Sequence, residues 1–174
     1  RGGEGITIAY DDIFEGTQVP AEYTADDIVL LSSIAPTAFN GPANSNPHAA
    51  NFHVWVGAAD ADVSGCPFSN ATQSFHLHDR ALQTRVATNF HGVGHGDFHN
   101  GGGSSVASGP CLVGRAQTHT LMRGYLLPLV QHFVNGNVPA LDFLWRDWNT
   151  FKPIGAPTSP CVVADLTYRP GSET

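Results

Sequence analysis

Apolar positions along this chain switch between two rhythms. Ile6, Ala9, Tyr10, Ile13 and Phe14 recur at the spacing of one helix face, and Gly16 stands where such a helix would stop. The next stretch, "DIVLLSSIAP" (27–36), is a continuous apolar run ending in small residues and proline, which predicts a strand buried on both faces. A loop comes next in "FNGPANSNP". "NFHVWVGAAD" (51–60) predicts a second buried strand that stops at Gly57 and runs into acidic residues. "QSFHLHDRALQT" (73–84) reads as a helix, and "RVATNFHGVGHGDFH" (85–99) begins as a third strand before dissolving into glycine and histidine. Beyond the loop "NGGGSSVASGPC" lies the longest helical stripe: Leu121, Met122, Tyr125, Leu126, Leu129, Val130, Phe133 and Val134, closed by Asn135-Gly136. Pro128 inside it removes one backbone hydrogen bond.

Helices and strands are thus expected to alternate from the first helix to the last, the pattern of α/β architecture with a parallel sheet. Three strands this apolar make a poor sheet on their own. A parallel sheet is covered on both faces, and bare apolar edges need partners. The sheet is expected to be incomplete without an upstream segment. No repeat or linker divides the chain, so residues 1–174 read as one partial domain, with the α/β pattern over 1–150 and a proline-rich tail over 151–174.

Composition narrows the partners. The net charge is −7, with only eight Lys and Arg, so the basic patches that phosphate contacts require are missing and no nucleic acid partner is expected. No apolar run reaches the ~18 residues of a spanning helix, so no membrane span is expected either. Cys66, Cys111 and Cys161 sit in "GCPF", "GPCL" and "SPCV" without a CxxC pair, which argues against zinc held by thiolates. Asn70-Ala71-Thr72 is a glycosylation sequon in a loop-like context. Scarce lysine, loop cysteines and the sequon together predict a secreted or extracellular glycoprotein.

In α/β sheets, ligands bind beyond the carboxyl ends of the strands. The second strand ends in "GAADADVSG", with Asp60 and Asp62; the third ends in "HGVGHGDFH", with His91, His95, Asp97 and His99. An Asp after one strand and a His after its neighbour can meet above the sheet, since adjacent strands lie only ~5 Å apart. A His held by an Asp is the general-base half of a hydrolytic triad. Taken singly, a strand-end Asp is usually a turn or cap residue and a loop His is usually incidental. Both at consecutive strand ends are another matter. His91, His95 and His99 are four apart, as helical metal ligands would be, but the glycines and aspartate between them disfavour a helix, and no metal or cofactor is expected.

"GAADADV" resembles the G-x-x-D-x-x-V stretch after the seventh strand of serine α/β-hydrolases, and "GVGHGDF" the G-x-G-H stretch after their eighth. The resemblance covers roughly Arg1 to Trp148. It implies that Asp60 is the triad acid, with Asp62 as second choice, and that His95 is the base. "RGGEGITIAYDDIF" is similar to the stretch just after the serine in that family's G-x-S-x-G elbow, with Arg1 adjoining the nucleophile and Gly2 as the motif's last glycine. On this pattern the chain begins one residue past its serine, and the Arg1 backbone N–H is one oxyanion donor. The implied function is the carboxyl-terminal half of a secreted ester hydrolase, partnered by the missing amino-terminal segment and acting on a small or polymeric ester. Ser104 and Ser105 come after three glycines but have no strand-to-helix turn to lift them. Two other readings are an inactive α/β-hydrolase-like binding or interaction chain and a His/Asp metal-dependent hydrolase. Three cysteines allow three pairings. If the acid and histidine loops meet, Cys66 and Cys111 are expected to be bonded, leaving Cys161 for the missing segment.

Overall fold

A computed structural model of the chain describes residues 2–63, 74–144, 154, 161 and 164–171. Helix α1 (Gly2–Phe14) is succeeded by β1 (Leu31–Ile34), β2 (Phe52–Gly57), α2 (Ser74–Arg80), β3 (Arg85–Phe90), α3 (Arg115–Phe133), α4 (Val138–Asp142) and β4 (Ala164–Arg169). The strands form one open, mostly parallel sheet in the order β1-β2-β3-β4. β1 runs parallel to β2, with Leu31 opposite Phe52 and Ile34 opposite Trp55. The Phe52 N–H donates to the Thr84 carbonyl and the Ala58 N–H to that of Phe90. The constant offset of 32 residues makes β2 and β3 parallel too.

The sheet corrects the sequence reading in two places. A fourth strand, β4, lies in the segment that reads as a proline-rich tail, so the expected count of three is short. The chain between β1 and β2 is loop, as "FNGPANSNP" reads, so the expected alternation of helix and strand fails there: Pro36, Pro42 and Pro47 interrupt any helical ladder. β1 is also shorter than the apolar run. Asp27 accepts bonds from the Thr24 N–H and hydroxyl at 2.8 and 3.0 Å, and so closes a 3-10 turn over Ala25–Asp27.

The chain divides into two compact units. The first comprises Arg1–Trp55, Val63–Ala87 and Tyr168–Thr174; the second comprises Val56–Asp62 and Thr88–Thr167. In the first, α1 packs on β1 but not by the face its apolar spacing predicts. Glu4, Thr7, Tyr10 and Asp11 are buried, whereas Ala9 and Phe14 are exposed. The carboxylates turn inward because backbone groups are waiting for them: Glu4 accepts the Asn40 N–H at 2.9 Å and Asp11 the Asn46 N–H at 3.0 Å. Gly3 lies so close to the Ile34 carbonyl and Pro36 that a Cβ would not fit. Gly16, at φ +75°, stops the helix where the sequence places the stop.

Every residue of β2 is buried, including His53. The Trp55 indole N–H donates to the Ser32 hydroxyl at 3.0 Å, and the same hydroxyl is hydrogen-bonded to His53 Nδ1, also at 3.0 Å. Fully buried, the imidazole is held neutral. Burial, aided by the nearby His78, pushes its pKa down from 6.5 to about 3.

In the second unit, α3 buries Thr118, Leu121, Tyr125 and Leu129, and Tyr125 meets Phe90 edge-on with ring centroids 5.6 Å apart. Of the eight residues of the expected stripe, three are buried: Leu121, Tyr125 and Leu129. Leu126, Val130 and Val134 of the same stripe are exposed. The helix runs through Pro128 without ending.

His53 gives the fold a signed pH dependence. Its folded pKa is depressed, so between about 3 and 6.5 the unfolded chain binds a proton that the folded chain does not. Stability is expected to fall with decreasing pH in that window, by up to ~1.4 kcal/mol per unit from this residue. Urea unfolding at pH 7 and pH 5 measures the loss. The ring signals of His53 should not titrate while the chain stays folded.

Candidate active site

Asp60 and His95 both belong to the second unit, at the carboxyl ends of β2 and β3. β2 can reach Asp60 only through a tight passage. A Cβ on Gly57 would collide with the Val93 carbonyl, the same carbonyl that accepts the Ala59 N–H at 3.2 Å. On the other side, β3 gives way to a turn and then to a short 3-10 helix over His95–Phe98.

The segment 104–108 straps the two loops together. The Val106 carbonyl accepts the N–H of Ala61 at 3.1 Å and that of His95 at 3.3 Å. Asp60 and Ala107 form an antiparallel bridge, and the Ser108 N–H donates to the Ala59 carbonyl at 2.8 Å. Asp97, fully buried, accepts the Gly94 N–H at 3.0 Å and the Ser105 hydroxyl at 2.6 Å. Arg115, at the start of α3, reaches the carbonyls of Gly96, Gly101 and Gly103 and holds the glycine loop. None of these supports stands out in the sequence, where 100–111 reads as plain loop; Asp97, three residues after Gly94, is the one local signal.

The result is a histidine set between carboxylates. Asp60 Oδ2 lies 2.9 Å from His95 Nδ1, and its side chain is 2% exposed against 27% for His95. The carboxylate accepts the Nδ1 proton, which leaves Nε2 as the basic nitrogen. Asp60 Oδ1 accepts the Asp62 N–H at 2.8 Å, so its own loop fixes the carboxylate's rotation. The Asp62 carboxylate, largely exposed, stands 3.5 Å from Nε2. A buried acid behind a partly exposed base can hold one tautomer and stabilise an imidazolium.

The remaining sequence candidates fare differently. His91 lines a cavity of about 350 Å³ with Ala58, Ala59, Ser108, Gly109, Pro110 and the Cys111–Cys161 pair, within the size range of small-ligand pockets. Ser104 and Ser105 are engaged locally, the first accepting the Val106 N–H at 3.1 Å. The donor atoms of His91, His95 and His99 do not form a metal-binding group; among the described residues the group that does converge is Asp11, Glu15 and His48. Arg1, Cys66 and Asn70 lie outside the described residues.

The cysteine pairing is a correction. Cys111 is bonded to Cys161, 50 residues away, rather than to Cys66, with Cα atoms 5.4 Å apart. The backbone explains it: the Gly92 N–H donates to the Cys161 carbonyl at 3.0 Å and the Val113 N–H to the Gly92 carbonyl at 2.9 Å, so both cysteines flank the same turn after β3. No family model matches the chain, and no curated protein or solved structure matches it.

This geometry has two measurable outcomes. Mapping of unreduced peptides should join Cys111 to Cys161, and Cys161→Ser should cost about 4 kcal/mol on the chain-entropy model for a loop of 50 residues. Gly57→Ala should destabilise by at least ~2 kcal/mol, since a methyl group there must displace the Val93 carbonyl. A denaturation midpoint unchanged from wild type would contradict the close approach.

Proposed function

We propose that the chain is the carboxyl-terminal part of a secreted serine ester hydrolase, with Asp60 and His95 as acid and base. The observation that carries this reading is the 2.9 Å contact between a buried Asp60 and the Nδ1 of a partly exposed His95, at the ends of neighbouring parallel strands. The likeness of "GAADADV", "GVGHGDF" and "RGGEG" to the serine α/β-hydrolase pattern supports it independently. The nucleophile is a serine supplied by a segment preceding Arg1.

In this mechanism the serine hydroxyl gives its proton to His95 Nε2 as it attacks the ester carbonyl. The imidazolium so formed is stabilised by Asp60 and returns the proton to the leaving alcohol. Water then repeats the cycle on the acyl-enzyme. The Arg1 N–H is one donor to the tetrahedral oxyanion. The Asp62 carboxylate, 3.5 Å from Nε2, turns outward when the hydroxyl docks, and its exposure leaves it free to do so. Export fits the disulfide, because such bonds persist in oxidising compartments; among the described residues no helix is long and apolar enough to cross a membrane.

The test is turnover of a p-nitrophenyl ester by the polypeptide carrying the preceding segment. His95→Ala should lower kcat by at least ~10³, and Asp60→Asn by several orders of magnitude through the wrong tautomer. His91→Ala should stay within about tenfold. Folded wild-type protein that neither turns over esters nor takes a fluorophosphonate label would turn the reading towards the binding-chain alternative.

A further inference from the structure

The first unit holds a second cluster that the hydrolase reading does not use. Asp11 and Glu15 stand one turn apart on α1 and its end, and His48 comes to them from the loop before β2. His48 Nε2 lies 2.6 Å from Asp11 Oδ1 and 3.5 Å from Glu15 Oε1, and the three donor atoms fall within 4.8 Å of one another. The imidazole is held in place: it stacks on Phe14 with centroids 3.9 Å apart. Asp11 is oriented by its other oxygen, which accepts the Asn46 N–H. Beside the two carboxylates opens a cavity of about 370 Å³, whose other walls include Asp12, Thr17, Asn40 and Asn44.

We propose that Asp11, Glu15 and His48 form a binding site for a zinc-like divalent transition ion. One imidazole nitrogen and two carboxylate oxygens make a donor set suited to zinc rather than to the all-oxygen shells of calcium and magnesium. Ligands ~2.0–2.1 Å from a tetrahedral ion stand about 3.3 Å apart. The Glu15–His48 spacing of 3.5 Å already fits, and the Asp11–His48 pair, at 2.6 Å, has to open by only about 0.7 Å. The cavity borders both carboxylates, and its Asn40 and Asn44 amide groups can bind a metal-held water. The ion replaces the proton shared between His48 and Asp11, and ties the end of α1 to the loop that leads into β2. The sequence shows the Asp11–Glu15 pair at helical spacing but gives no sign of His48, which is 33 residues beyond Glu15.

Calorimetric titration of zinc chloride into the chelator-stripped chain tests the site. Micromolar uptake is expected, with Glu15→Gln weakening it at least tenfold. Glu15 is largely exposed, so this variant keeps the apo fold, which its circular dichroism and urea midpoint verify. His48→Gln should abolish the tight phase. Wild-type protein that takes up no zinc, takes up calcium in preference, or binds zinc equally well in both variants would overturn the proposal. In the last case the ion sits on other histidines.

Discussion

Burial of β2 at all six positions is the constraint on which the sheet and the site depend. A buried strand cannot leave its N–H and C=O groups to water, so it must be paired along both edges. β1 supplies one edge and β3 the other, each in parallel register. The 32-residue offset that sets Ala58 against Phe90 brings Asp60 alongside the turn after β3, within reach of His95. The contact between acid and base is thus a consequence of strand register. The strap at 104–108 then holds both loops through one shared carbonyl, that of Val106.

The parts legible in the sequence are those governed by a local signal. The apolar runs at β1, β2 and β3, the stop at Gly16 and the strand-end Asp60 and His95 each announce themselves within a few residues. The features that stay hidden in the sequence are set at long range. β4 is short and mostly polar, "ADLTYR", and gains its identity only from the strand beside it. The buried face of α1 departs from its apolar spacing because that rule assumes that carboxylates point to water, whereas Glu4 and Asp11 point to backbone N–H groups 35 or more residues away. The pairing of Cys111 with Cys161 depends on both flanking the turn at Gly92, which no spacing rule anticipates.

These carboxylates share one physical role. The chain is acidic and poor in lysine, so its carboxylates find few cationic partners and turn to backbone and side-chain donors instead. Thr24 serves Asp27, Asn40 serves Glu4, and Asn46 serves Asp11. Each such bond is charge-assisted, and where the acid is buried it is stronger than its surface counterpart. A loop-rich chain gains order this way where a larger apolar core is not available.

Asp60 and Asp97 show two different uses of a buried carboxylate. Asp97 is only two residues from His95, the nearer candidate by sequence, and it is just as buried. Yet its two oxygens accept bonds from Gly94 and Ser105, within the loop that carries it. Asp60 gives one oxygen to its own loop, at the Asp62 N–H, and presents the other to the imidazole of a different loop. The first acid is a clasp. The second links two strand ends through a titratable ring, and only that arrangement lets a change of charge on His95 be felt by a carboxylate fixed in advance.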